Sequence, residues 1–494
     1  MAFGLFKKNE KAESVFHNGH IYTQDGDLPW VTAVACAGGK IIAVGDFEAM
    51  EELVDGDTNV VDLKEQYMFP GFIDSHSISV LKTFEDKYFA IDEEWKGDEI
   101  IANLAEYIEE HPDLDMYFGY GYSENILQSA EDFPDADDLE EEALEVELSD
   151  DEMADDDENS GNSLAMLDEL CPDKPIVLLS SSSVHLWYNT AAQTIIEETA
   201  EEECVQIITV PYVLNLFVPF DFEEVEAAVK QELEDNCDKG YTTIFNNNSP
   251  DFFEDYFIDS LMGLVNEGDI PQRFYGSLFC GKPINPEALT HRLMQKKTSC
   301  IELGDIMKYN FIKLKVAGAE FSQEALDTIM LAVADRGFNI YIEAPDAEGL
   351  LKAYNGFEAV YSKGYKNAVG IIASDYELED DAMAELPHSG DIIETWPMDL
   401  EEYSIADYVD DVSEAIDELT VYAAEMLGEE DRLGSIEKGK LADFTVFEQN
   451  PLDTDLKTFC KMHATMTIID GQVVYDAEEM ANDEMYNLMA SQQL

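Results

Sequence analysis

The sequence predicts an α/β chain organised on a (β/α) barrel of the TIM type. Three observations carry that expectation. Short apolar runs with the character of buried strands alternate with helical stretches through the middle of the chain. Segments with strand character, broken by Asn-Gly, Gly-Gly and Asp-Gly turns, sit near both ends. One run over residues 67–80, Tyr-Met-Phe-Pro-Gly-Phe-Ile-Asp-Ser-His-Ser-Ile-Ser-Val, sets a histidine at the carboxyl end of an apolar strand, the side on which barrel active sites are built.

In chain order, residues 14–63 form a small β region. Residues 15–23 are expected to be a strand pair turning at Asn18-Gly19, and 31–37 and 41–44 a second hairpin around Gly38-Gly39-Lys40. His17 and His20 are expected to be ordinary turn or surface histidines. Pro70 and Gly71 then punctuate the chain, and Phe72 and Ile73 open the strand that bears Asp74 and His76. Two residues apart on a strand, those side chains are expected to share a face. Further strands are expected at 175–181, 240–245, 274–279, 311–316, 338–343 and 369–374, with helices between them at 223–237 and 323–336. Residues 464–475 give a strand, an Asp-Gly turn and a strand.

Composition narrows the function classes. With 494 residues, 46% of them hydrophobic, there is material for a large barrel and one smaller domain. The 28 basic and 108 acidic residues leave a net charge of −80. A surface of that sign repels nucleic acid and anionic membranes, so neither is expected as a partner, and a basic protein is the compatible macromolecule. The seven cysteines are dispersed without a C-x-x-C spacing, which favours reduced thiols. The first residues lack the apolar h-region of a secretory signal, and no apolar run approaches the ~20 residues of a membrane span. A soluble, cytoplasmic protein is expected. Residues 131–158 carry 17 acidic residues and no Lys or Arg, the pattern of a solvated insertion between barrel elements.

The run Pro70-Gly71-Phe72-Ile73-Asp74-Ser75-His76 resembles the opening barrel strand of the amidohydrolase superfamily, whose His-x-His pair holds a divalent metal; here the second position is Ile78. Residues 433–447 and 464–475 resemble the C-terminal β-sandwich of that family, which pairs with the N-terminal strands. The resemblance covers nearly the whole chain and is nearest the long-chain branch that includes the N-substituted formamide deformylases. It implies a small β-sandwich built from both chain ends. The domains would be 14–66 and 428–476 for the sandwich and 67–427 for the barrel, with an acidic insertion at 131–160 and a tail at 477–494.

The same resemblance can be followed position by position. His185 and Asn189 match a family segment running Asp-Gly-His and then Asn-Ser, with Ser183 where the acid would stand. Lys313 matches a lysine that related enzymes carboxylate to bridge two metals, and Ala317 replaces an acid. Glu343 takes a histidine position and could still ligate as a carboxylate. Residues 370–374 end in Ser374 without the expected Glu-His, and Thr395 stands where the catalytic aspartate belongs.

A divalent, zinc-like metal is therefore the expected cofactor. His76, Lys313 and Glu343 are the candidate ligands, and His76 and His185 the candidate catalytic residues. A zinc site needs about three protein ligands and an open position, so the site is expected to be degraded. Two functions follow: hydrolysis of a carbon–nitrogen bond in a small amide, cyclic amide or formamide, or a catalytically silent barrel acting as an acidic binding or scaffold module. No nucleophile elbow, P-loop or dinucleotide fingerprint competes with them.

Overall fold

The computed structural model describes residues 11–77, 84, 87–92, 95–123, 160–181, 185–205, 208–246, 251–267, 272–281, 283–318, 321–365, 369–373, 392–395, 405 and 409–481. The acidic run 131–158 lies outside them.

The chain opens with β1 (Ser14–Tyr22), β2 (Trp30–Ala37), β3 (Lys40–Gly45), β4 (Asn59–Asp62) and β5 (Tyr67–Pro70), followed by β6 (Phe72–Ser77). Next come β7 (Phe89–Ala90), β8 (Tyr117–Tyr122), β9 (Ile176–Ser180) and β10 (Leu186–Tyr188). The central series is β11 (Tyr241–Asn246), β12 (Arg273–Cys280), β13 (Met307–Lys315), β14 (Asn339–Glu343), β15 (Gly370–Ala373) and β16 (Ile392–Thr395). β17 (Phe444–Phe447), β18 (Met466–Ile469) and β19 (Gln472–Asp476) close the set.

Seven of these strands form one parallel sheet in the order β16-β15-β14-β13-β12-β11-β6. The long crossovers between them carry the helices, including Phe222–Asp238, Pro286–Ser299, Gln323–Asp335 and Ala347–Ser362, as parallel pairing demands. Both faces of the sheet are buried, which explains the continuous apolar runs of its strands. Ile244, Phe274, Leu278, Ile312, Ile340 and Ile372 pack outward with the helices. Ile73, Phe245, Tyr275, Phe311, Tyr341 and Ile371 pack on the inner face. The result is a curled parallel sheet of the TIM type.

The expected strand at 175–181 is present as β9, but it does not join this series. It pairs with β8 and, antiparallel, with β10, in a separate four-stranded sheet ordered β10-β9-β8-β7. Its two neighbours complete its ladder, so an apolar strand between helices is not by itself a barrel strand.

An eight-stranded sheet unites the two chain ends, in the order β19-β18-β17-β5-β1-β2-β3, with β4 beside β1. Two of its turns follow directly from sequence. Gly38-Gly39 (φ 59° and 70°) and Asp470-Gly471 (φ 53° and 74°) supply the two left-handed residues of a tight hairpin turn. Asn18-Gly19 does not form the expected turn. Asn18 adopts φ 57°, yet β1 runs on as one strand with a register shift between His17 and Ile21. Before the shift β1 pairs with β4, and after it with β5. The pair thus makes a bulge at a change of partner, held by the Asn18 amide donating to Asp62 Oδ1 at 2.7 Å.

This sheet is fastened to the barrel by a buried ion network. Arg273, at the start of β12, donates from Nε to Asp443 Oδ2 at 2.7 Å, and from Nη2 to Asp443 Oδ1 at 3.0 Å and Asp470 Oδ1 at 2.6 Å. The Arg273 and Asp443 side chains are each only 3% exposed. No helix among the described residues is long and apolar enough to cross a membrane.

Candidate active site at the strand ends

In the parallel sheet all carboxyl ends lie on one side, and there β13 and β14 bring two candidate residues together. Lys313 pairs with Tyr341 in register, and Lys315 with Glu343. Lys313 shares a face with Phe311, and Glu343 with Tyr341, because alternate residues of a strand share a face. Phe311 and Tyr341 belong to the inner core, so both charged side chains project inward.

There the Lys313 ammonium meets Glu343 Oε2 at 3.0 Å, with the lysine side chain 3% exposed and the glutamate 38%. Beneath them Phe245 closes on Phe311 (centroids 4.8 Å apart) and on Tyr341 (5.7 Å). The Lys313 ammonium also lies 5.8 Å from the Tyr341 ring centre, within cation–π range. Burial, and then the Glu343 carboxylate, push the Tyr341 hydroxyl well above the ordinary tyrosine range, so it stays protonated.

The loops around this pair are tied to each other. Asp346 caps the helix Ala347–Ser362 by accepting from Gly349 N at 2.7 Å, and its other oxygen accepts from Gly318 N at 2.9 Å. Lys352 donates to the Gly318 and Phe321 carbonyls at 2.5 and 2.9 Å. Burial opposes ionisation of Asp346, but the backbone donors and Lys352 outweigh it and hold the carboxyl below the usual range. A Cβ on Gly349 would collide with the Val316 carbonyl, so glycine lets the helix start against the strand end.

The other candidates do not join them. His185 is exposed, at the turn entering β10 on the four-stranded sheet, where its backbone N–H donates to Ser180 Oγ at 3.1 Å. Asn189 is a structural keystone: fully buried, it accepts from Ile176 N and Ala192 N and donates to the Cys171 and Lys174 carbonyls. Ala317 lies in the loop after β13 and offers no donor side chain.

His76 lies on β6, but its side chain falls outside the described residues, as does that of Thr395; Ile78, Ser183 and Ser374 fall outside altogether. Asp74 faces away from the inner core. It pairs with Ile244, which packs on the helices, and its charge adds to burial in pushing Glu232 of the helix Phe222–Asp238 up to about 8. A register shift in the β6–β11 ladder interrupts simple alternation at this point.

Among the described residues no three His, Cys, Asp or Glu side chains converge as a metal-holding group. Among the described residues at the strand ends, the Glu343 carboxylate is engaged by an ammonium and Asp346 by backbone donors. That described pair alone does not fit a zinc-like ion. Sequence reasoning singled out Lys313 and Glu343, which lie together, and did not single out Asp346; its Asp-x-x-Gly spacing before an apolar helical run was the available signal.

Comparison with known proteins agrees with this architecture. Against solved structures, a metal-dependent hydrolase of Pyrococcus horikoshii superposes with a TM-score of 0.51 at 16% identity, over 90% of this chain and 99% of that one. An adenosine deaminase of Xanthomonas campestris, solved with bound zinc, superposes with a TM-score of 0.52 at 11% identity, over 98% and 99%. The exoenzymes regulatory protein AepA of Pectobacterium carotovorum is 27% identical over 127 residues, 25% of this chain and 27% of that protein. The LONG AFTER FAR-RED 3 protein of Arabidopsis thaliana is 35% identical over 65 residues, 13% and 11% of the two chains. The matches therefore span about a quarter or less of these curated relatives. The family model described as the amidohydrolase family matches residues 59–386 and 380–475, which take in the barrel and the companion sheet from β4 onward, and the chain belongs to the amidohydrolase family.

Proposed function

We propose that this protein keeps the amidohydrolase barrel as a binding framework, with carbon–nitrogen hydrolysis weak or lost. The observation that carries this reading is the 3.0 Å ion pair between Lys313 and Glu343. A lysine whose Nζ is engaged by a neighbouring carboxylate is not free to take the carboxyl group that would bridge two metals. The carboxylate that replaces a family histidine is spent on the same contact. Ile78, Ala317 and Thr395 offer poor donors at three further family positions. The net charge of −80 makes a basic protein the matching partner for such a framework.

A second reading is favoured by the exposure of Glu343, which leaves its carboxylate open to the strand-end side. On that reading His76 and Glu343 hold a divalent ion, and the substrate is a small amide or formamide, as in the deformylase-like branch.

Metal analysis of purified full-length protein, with a panel of formamides and cyclic amides assayed after zinc and manganese loading, separates the two. The first reading expects substoichiometric metal, no turnover, and unchanged thermal stability after chelation. Near-stoichiometric metal that disappears in His76→Ala, together with turnover, would overturn it.

A further inference from the structure

At the opposite, amino end of the parallel sheet lies a second cluster that the barrel chemistry does not use. Asp238 ends the helix that leads into β11. One of its oxygens is 2.5 Å from His463 Nδ1, and the other accepts from the Tyr475 hydroxyl at 2.8 Å. The Asp238 carbonyl also accepts from Ala464 N at 2.7 Å, which fixes the chain beside the histidine. Burial, and then the bond to Asp238, push the Tyr475 hydroxyl far above its ordinary range, so it remains a neutral donor.

Asp238 is thereby satisfied on both oxygens. With Nδ1–H committed to the carboxylate, the exposed histidine keeps Nε2 as an acceptor when neutral and as a second donor when protonated.

These groups border a cleft of about 610 Å³, within the size range of small-molecule sites. Lys457 and Lys461 also line it. Neither lysine makes an ion pair within 4 Å among the described residues. In a chain with 108 acidic residues, two such ammonium groups and an oriented imidazole on one cleft are an unusual concentration of basic groups, although the charge of Lys457 also acts on nearby Asp455. The neighbouring hydroxyls are spent elsewhere: Thr465 donates to Gln66 and to the Val446 carbonyl, and Thr458 bonds to Asp455. Glu448 is the cleft's remaining carboxylate and sets a limit on the total negative charge a ligand can carry.

We propose that this cleft binds a small phosphate-bearing molecule, its oxyanion held by Lys457 and Lys461 and by His463 in its protonated form. Ammonium groups serve as point-charge partners for phosphate, and charge-assisted bonds of this kind are about twice as strong as neutral ones. The general field of the protein repels anions, so the local donors select where one can settle. The proposal is independent of whether the barrel hydrolyses anything, because no residue is shared between the two sites.

Calorimetric titration of the full chain with inorganic phosphate, at constant ionic strength in chloride, is the test. Saturable binding at one site per chain is expected, with Kd raised at least about tenfold in the Lys457→Gln/Lys461→Gln double variant. Both lysines lie on the rim of an open cleft, and circular dichroism checks that the variant stays folded. The His463 imidazole resonances should move on phosphate addition and stay still in the double variant. Absence of saturation, an unchanged Kd in the double variant, or an unmoved His463 signal would each overturn the proposal.

Discussion

Two ion pairs in this molecule use similar groups for different ends. Arg273 and Asp443 are both almost fully enclosed and joined by two parallel hydrogen bonds, with Asp470 as a third member. Lys313 is as deeply enclosed, but its partner Glu343 remains more than a third exposed and meets the ammonium through Oε2. The first pair joins the barrel to the sheet made from the chain ends. The second sits where related barrels do chemistry. A bidentate guanidinium fixes geometry, whereas a single ammonium–carboxylate contact beside solvent leaves one member able to turn to another partner.

Mutations can break or sharpen that contrast. The largest effect is expected from Arg273→Ala, which leaves Asp443 buried without its partner. Unfolding by urea should show a loss of about 3–5 kcal/mol, with the apolar double replacement Arg273→Met/Asp443→Leu losing much less. Glu343→Leu strands the enclosed Lys313 ammonium and should cost about 2 kcal/mol. Lys313→Met strands only a carboxylate that water can reach, and should fall within about 1 kcal/mol of the parent. Equal losses in those two variants would erase the proposed asymmetry.

Asp346→Ala should cost about 1 kcal/mol through the lost cap. The Asp346 carboxyl lies below its unfolded value, so its contribution is present above about pH 4 and fades as pH falls through the folded value. The parent–variant gap should therefore narrow in acid. The smallest effect is collective: at a net charge of −80, the melting temperature should rise as salt is added from low concentration, and a flat profile would contradict self-repulsion.

Much of this was legible from sequence. The five central strands from β11 to β15, and the helices between them, follow from apolar runs of strand length separated by amphipathic stretches. Gly38-Gly39 and Asp470-Gly471 were legible as turns because both residues of each need positive φ. Asn18-Gly19 carried the same local signal and was misjudged, since its outcome depends on β4 and β5 exchanging places beside β1, a tertiary event. Lys313 and Glu343 stood out by family position, but their contact depends on the register of β13 on β14, which no local pattern encodes. Arg273 with Asp443 and Asp238 with His463 are separated by 170 and 225 residues, and only the assembled fold brings them together.

The sheet that gathers both chain ends also constrains how the protein is made. β5 takes β17 as its antiparallel neighbour, and the Gly38-Gly39 turn packs against Asp470, so the earliest strands leave the ribosome long before their mates. Until residues 444–476 emerge, β5 offers a bare edge of backbone donors and acceptors to whatever strand it meets. A nascent chain of this design depends on residues 444–476 as a seal, and its dense negative charge is suited to keeping neighbouring unfinished copies apart in the interval.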